Sequence, residues 1–397
     1  MAADDLRRIA EALGNGELDE RAARRRIAQL RLANDDRQPA ALIADALAAY
    51  DAGEKRRAQA QATVVELVAR AWLGSSLQFW RRRPHASYAF DLAARALAAR
   101  SLIALDEGHE AEAADLRLRS QAMLAGLSNP APARFAIDCL TAQREMRTGN
   151  AGGALARLDA VLALPGLDDE QRAAANALRA EALLRAGDRA GADAALSASS
   201  ESFQRAGRSA AALEAELERG VQLFAAGDAS SRGLLTRVAA SAAATDAPAV
   251  EVAARLHLGV LAANAKDHQE AAREFEAAAA AARRAGDDSS VVIGLRNAAD
   301  EHRRQGRLEA AEGALLAALS VESQGSIGLE QAKARLVLAA VRQDQGRDAE
   351  AATALDEAQR QFGEALDRLQ PDASEAAREH LQSQLDKVAA MRRRVAR

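Results

Sequence analysis

The residues of this chain able to move protons or hold a metal are six histidines, one cysteine and a scatter of acidic pairs. Their spacing favours neither task. His85, His109, His257, His268, His302 and His380 lie far apart, with no HExxH pattern and no Cys/His ligand spacing. The pairs Asp168-Asp169 and Asp287-Asp288 stand where helical stretches begin, and carboxylates there serve the free N–H groups and the helix dipole. No GxxxxGK[ST] or GxGxxG loop offers a phosphate cradle. Cys139 is the only cysteine, so an intrachain disulfide and a cysteine metal site are both excluded. The expectation is a chain with no catalytic residue, no metal and no cofactor.

Basic and aromatic residues are the other source of chemistry. The stretch from Ala71 to Leu92 holds Trp72, Phe79, Trp80, Tyr88 and Phe90, beside Arg81, Arg82, Arg83 and Pro84. Trp, Tyr, Phe and Arg are the types enriched in interface hot spots, which makes Trp72, Trp80 and Arg82 candidate partner contacts. The same aromatics could instead fill the junction between the N-terminal helices and the rest of the chain. Stacking on single-stranded nucleic acid is a third option, opposed by the charge balance of 53 basic against 57 acidic residues. Arg21, Arg24, Arg25 and Arg26 follow Glu17, Asp19 and Glu20, an order that suits a helix dipole and reads as a solvated face.

The elements that would position these groups are helices. Hydrophobic residues make up 49% of the chain but aromatics only 3%, so the apolar content is mostly Ala and Leu, strong helix formers that let helices approach closely. The N-terminus, MAADDLRR, lacks the basic start and apolar core of a secretion signal. No apolar run approaches the roughly 18 residues of a spanning helix. These features lead us to expect a cytoplasmic protein without a membrane partner.

Turn residues recur with one period. Gly108, Gly149, Gly187, Gly227, Lys266, Gly306 and Gly346 follow one another at intervals of 38 to 41 residues. A second series, Gly126, Gly166, Gly207, Asp246, Gly286 and Gly325, interleaves at 39 to 41. Two offset series of one period mean two helices per repeat.

Val252 to Gly286 is the best-preserved copy, and there the repeats resemble the tetratricopeptide family. Leu258-Gly259 forms the pair of the first helix, Lys266 the turn, and Ala271, Phe275 and Ala278 the small, bulky and small positions of the second. The next copies carry Ala298-Ala299, His302, Gly306, Ala311, Leu315 and Ala318, then Leu338-Ala339, Gly346, Ala351, Leu355 and Ala358. His302 occupies the family's large-residue position. Upstream, Ala154 and Leu158, then Ala192 and Leu196, keep the spacing. Around Gly227 the pattern is degenerate, with Arg232 where the small Ala belongs, and around Gly108 it is about one residue out of register. The period near 40 resembles the longer-repeat branch of the family.

The resemblance implies an all-α fold, a right-handed α-solenoid of helical hairpins, in which small residues let helices touch and the bulky one fills the gap to the next hairpin. The expected organisation is N-terminal helices over 1–70, with room for a degenerate hairpin, an aromatic and basic insert over 71–92, the repeat array over 93–370, and a capping helix over 371–397. Leu381, Leu385, Val388, Met391 and Val395 form the apolar stripe of that last helix.

By resemblance, the first helix of each hairpin lines the inner surface. Projection places Arg185, Asn264, Arg296, Asp300, Arg303 and Lys333 there, with Glu181, Phe224, Leu256 and Val260. Asn297 and Lys333 match two places of the family's carboxylate clamp, but Leu256, Val260 and Val337 occupy others, so a full clamp is rejected. The expected role is a non-catalytic scaffold or adaptor holding a protein or peptide. The alternative is a sensory or regulatory module whose superhelix responds to a small peptide or ligand.

Overall fold

In the computed structural model, the described residues are 2–30, 37–73, 84–322, 327–368 and 375–395. All regular structure among them is α-helical. Two helices, α1 (Ala2–Gly14) and α2 (Glu20–Gln29), precede a succession of hairpins. The hairpins are α3 (Gln38–Asp51) with α4 (Lys55–Leu73), α5 (Pro84–Asp106) with α6 (Glu110–Ala125), and α7 (Ala131–Arg147) with α8 (Ala151–Leu162). Next come α9 (Asp169–Arg185) with α10 (Arg189–Arg205), α11 (Ser209–Ala225) with α12 (Ser230–Ala244), and α13 (Pro248–Asn264) with α14 (His268–Ala285). The last are α15 (Asp288–Arg304) with α16 (Leu308–Leu319) and α17 (Ile327–Asp344) with α18 (Asp348–Asp367), succeeded by α19 (Glu375–Val395). The chain divides into two compact units, Met1–Ala206 and Gly207–Arg397.

Local chemistry sets the helix ends. Asp168 accepts from the Gln171 amide at 2.7 Å while the Gln171 side chain accepts from the Asp168 amide at 3.1 Å, a reciprocal cap on α9. Asp188, Asp267 and Asp287 cap α10, α14 and α15 in the simpler one-bond form. Gly126 ends α6 in the right-handed region, whereas turn glycines such as Gly149, Gly187 and Gly306 take left-handed backbone, which glycine adopts freely. Lys266 (φ 61°) and Asp246 (φ 52°) take that conformation with a side chain, at a cost of roughly 1–2 kcal/mol each.

Packing obeys the repeat. In the second unit the bulky Phe275, Leu315 and Leu355 and the small Ala271, Ala311 and Ala351 are all buried. A Cβ added to Gly259 would stand 2.6 Å from the Phe275 ring, and one added to Gly294 would stand 2.8 Å from the Phe275 carbonyl oxygen. Phe275 is therefore seated by close backbone approach from both α13 and α15. The copy at Gly227 is not degenerate. The Asp228 carboxylate accepts from the Ser230 amide at 2.8 Å and its carbonyl from the Ser231 amide at 3.1 Å. That tight start advances the register by one, so Ser231 and Leu235 take the small and bulky places, both buried. The α19 stripe packs on α18, with Leu381 and Val388 buried.

In the first unit, α1 and α2 pack on α4 and the core runs from α1 to α7. Trp72 belongs to it: the ring is buried and stacks on Tyr88, centroids 6.1 Å apart. Two carboxylates tie this unit together. Glu66 is buried and pairs with Arg70 at 2.5 Å, Arg100 and Arg119, joining α4, α5 and α6. Asp106 accepts from the Tyr50 hydroxyl at 2.7 Å and from Arg144 at 2.6 Å, joining α3, α5 and α7. Burial works to raise the Asp106 pKa, but the bonds from Tyr50 and Arg144 outweigh it and hold the carboxyl below its ordinary value.

Candidate functional site

In the second unit α11, α13, α15 and α17 touch in succession, in addition to packing on their own second helices. They form a continuous row, and on α15 and α17 the positions that repeat packing leaves free are largely polar and half-buried. On α15, Arg296 pairs with Glu330 of α17 at 2.6 Å and donates to the Asn297 side-chain oxygen at 3.1 Å. Glu330 also holds Lys333 at 2.8 Å. Farther along the helix, Arg303 bridges Asp300 of its own helix and Asp344 of α17, both at 3.1 Å, and Arg304 reaches Asp300 at 2.9 Å. Partial burial works to lower the Arg303 pKa, but the Asp344 and Asp300 bonds raise it, so the guanidinium stays charged.

These groups form a ladder of four cations, Arg296, Arg303, Arg304 and Lys333, on three carboxylates, Glu330, Asp300 and Asp344. The basic bias expected from the sequence is largely answered within the ladder itself. Elsewhere on the row, Asn264 lies exposed at the end of α13, one turn beyond the half-buried Val260. The His257 ring of the same helix lies 5.5 Å from that of Phe224 on α11. Burial lowers the His257 pKa against the pull of Glu218, so this imidazole is neutral at neutral pH.

The remaining candidates fall elsewhere. Arg185 lies on α9 of the first unit, exposed, pairing with Glu181 at 2.8 Å and donating to the Met146 carbonyl at 3.2 Å, where it serves the C-terminal end of α7. Trp72, a candidate contact from the sequence, is only 7% exposed; its ring is given to the core of the first unit and is unavailable to a partner in this conformation. Trp80 and Arg82 lie outside the described residues.

His302 and His268 serve packing and ties. His302 is buried and its Nε2 lies 2.8 Å from Glu276, while His268 Nδ1 lies 2.6 Å from Glu301, joining the hairpin turn to α15. The Cys139 thiol, buried beside Asp138, is pushed up to about 12, which leaves it protonated and unreactive. Among the described residues no group of three or more His, Cys, Asp or Glu is placed to hold a metal ion, and no helix is long and apolar enough to cross a membrane.

The structure is similar to the crystal structure of the apo form of RapI, with a TM-score of 0.56 over 90% of this chain and 98% of that one, at 9% identity. The fold is of the tetratricopeptide type. Two further solved structures align less closely. A Rap protein complexed with Competence and Sporulation Factor has a TM-score of 0.40 at 12% identity, over 90% of this chain and 98% of that one. NprR in complex with its cognate peptide NprX has 0.37 at 13%, over 75% and 82%. No protein-family model and no curated protein matches the sequence. The tetratricopeptide-type architecture explains why the ladder exists, since first helices present the same face at each repeat.

The two carboxylate hubs escape sequence reasoning. Glu66 does leave a signal, a single acid inside the apolar run Ala62-Thr63-Val64-Val65-Glu66-Leu67-Val68. Its partners Arg100 and Arg119 stand 34 and 53 residues away and leave none.

Proposed function

We propose that the chain is a non-catalytic scaffold or adaptor that holds a protein or peptide on the first-helix row of Gly207–Arg397. The ladder on α15 and α17 carries this reading. Its side chains are charged, partly exposed and held in fixed positions by one another, so little rotamer entropy remains to be lost on binding. A peptide with both charge signs can exchange with the ladder pair by pair, Glu330 and Asp344 taking its cations and Arg296 and Arg303 its anions. Asn264 and the apolar Leu256 and Val260 extend the same face toward α13. Arg185 belongs to a comparable position in the first unit.

The test is capture of partners by the intact chain, compared with Arg296→Glu plus Lys333→Glu. Reversing both is expected to weaken capture at least tenfold, with helicity by circular dichroism retained. Arg273→Glu, at an exposed position on the second helix α14, should leave capture intact. Equal capture by all three proteins contradicts the reading.

One observation favours the regulatory alternative. Arg296–Glu330 and Arg303–Asp344 each tie one hairpin to the next, so a ligand that takes over Glu330 or Arg303 loosens the α15–α17 junction and biases its geometry. Under this alternative, adding the captured partner changes the radius of gyration in solution scattering, whereas a rigid scaffold keeps it.

A further inference from the structure

We propose that a cleft in the first unit, between α6 and α7, is a second and independent binding site for a peptide that presents a bulky apolar side chain flanked by carboxylates. Within each unit the second helix of a hairpin otherwise packs on the first helix of the next, as α4 does on α5, α8 on α9, α12 on α13, α14 on α15 and α16 on α17. The α6–α7 pair lacks that packing, and α7 is held through α5 and α8 instead. Gly126, at the end of α6, is in close contact with the Phe90 ring of α5, where an added Cβ would stand 3.0 Å away. The repeat therefore opens at this one junction within the described part of the unit.

A cavity of about 360 Å³ occupies the opening, with Leu102, Leu105, Leu124 and Ile137 among its lining residues. A second, of about 390 Å³, adjoins it and shares Gln121, Leu124 and Arg134. Volumes of this order suit one large side chain with part of its backbone. The polar groups of the floor are answered from within. Ser101 donates to the Ala113 carbonyl and Ser120 to that of Ala94, each at 2.8 Å, and Thr141 donates to Ile137 at 2.7 Å. Arg157 is held by Asp138 at 3.2 Å and Glu145 at 3.1 Å, which also neutralises the only carboxylate that lines the cavity among the described residues. The floor thus behaves as an apolar surface.

The rim does not. Arg117 on α6 and Arg134 on α7 are exposed, line the cavity, and form no ion pair among the described residues. Two guanidinium groups over an apolar floor select for a ligand that is apolar at its centre and anionic at its edges. A carboxylate on each side of a buried Leu or Phe meets that demand, and a basic peptide is repelled. The site shares no residue with the ladder of the second unit, so it stands or falls separately from the function proposed above.

The test uses the full chain and a fluorescein-labelled Glu-Glu-Leu-Leu-Glu-Glu peptide, read by fluorescence anisotropy, with Lys-Lys-Leu-Leu-Lys-Lys and Glu-Glu-Ser-Ser-Glu-Glu as controls. The expected result is saturable binding of the first peptide alone, weakened at least tenfold by Arg117→Glu plus Arg134→Glu and unchanged by Arg296→Glu plus Lys333→Glu. Both cleft substitutions are at exposed positions, and circular dichroism verifies that the variant stays folded. No saturable binding, equal binding of the lysine or serine peptide, or full retention by the double cleft variant overturns the proposal.

Discussion

Glu66→Ala is expected to destabilise the first unit by about 3–5 kcal/mol, the cost of leaving buried cationic partners without their counter-charge. Glu66 is 1% exposed and holds Arg70, Arg100 and Arg119 from three helices. Removing it leaves the Arg100 guanidinium, itself 12% exposed, with no carboxylate among the described residues to answer it. A control separates this penalty from the worth of the pair. Glu66→Leu with Arg100→Met replaces charge by apolar volume and should recover most of the loss, because a buried ion pair offsets little more than its own desolvation. Both tryptophans, Trp72 and Trp80, belong to the first unit's stretch of sequence, so tryptophan fluorescence during urea unfolding reports on that unit. An unchanged midpoint for Glu66→Ala would mean that the three arginines are hydrated rather than held.

The second large effect is expected at Phe275→Ala, about 3–5 kcal/mol for a buried aromatic whose site collapses poorly. The site cannot collapse easily because Gly259 already brings one backbone against the Phe275 ring and Gly294 another against the Phe275 backbone carbonyl. Neighbouring Ala262, Ala271 and Ala298 are too small to fill the void. The converse substitution, Gly259→Ala, places a methyl group against the ring and should cost about 1–3 kcal/mol by overpacking. Gly259→Ala combined with Phe275→Leu should cost less than the two alone summed, since the smaller side chain makes room for the methyl. Hydrogen exchange of α13–α15 amides reads these effects locally. Strict additivity would show that the glycine and the ring do not share one space.

These two sites mark where the sequence is informative and where it is silent. Gly259 and Phe275 are near in sequence, joined by one hairpin, and their types obey the 40-residue rhythm, so their packing is legible. The same holds for the Asp168 and Asp287 caps, whose chemistry is local. Counting register from the glycine misplaces the copy at Gly227, because the Asp228 turn advances the helix by one residue. The polar positions on α15 and α17 are legible as a set but not as a circuit. Arg296 and Glu330 are 34 residues apart, and Arg303 and Asp344 are 41 apart. Only the fold brings them together, and it turns an apparent basic patch into a nearly balanced ladder. Trp72 shows the reverse, an interface residue type spent on a junction core. The cleft at α6–α7 leaves little mark, since the turn series passes through Gly126 without interruption and only the copy at Gly108 falls about one residue out of register.

The claim that the first-helix row of the second unit is the binding surface has one most direct test. A photo-reactive amino acid is placed at Asn264, exposed at the end of α13, and separately at Arg273, exposed on α14, in otherwise intact chains. Partner captured on each is cross-linked and quantified by mass spectrometry. Covalent adducts are expected from position 264 and are lost when Arg296→Glu and Lys333→Glu are added, while position 273 gives background levels. Adducts from position 273 with none from 264 would contradict that claim and move the interaction to the second-helix side.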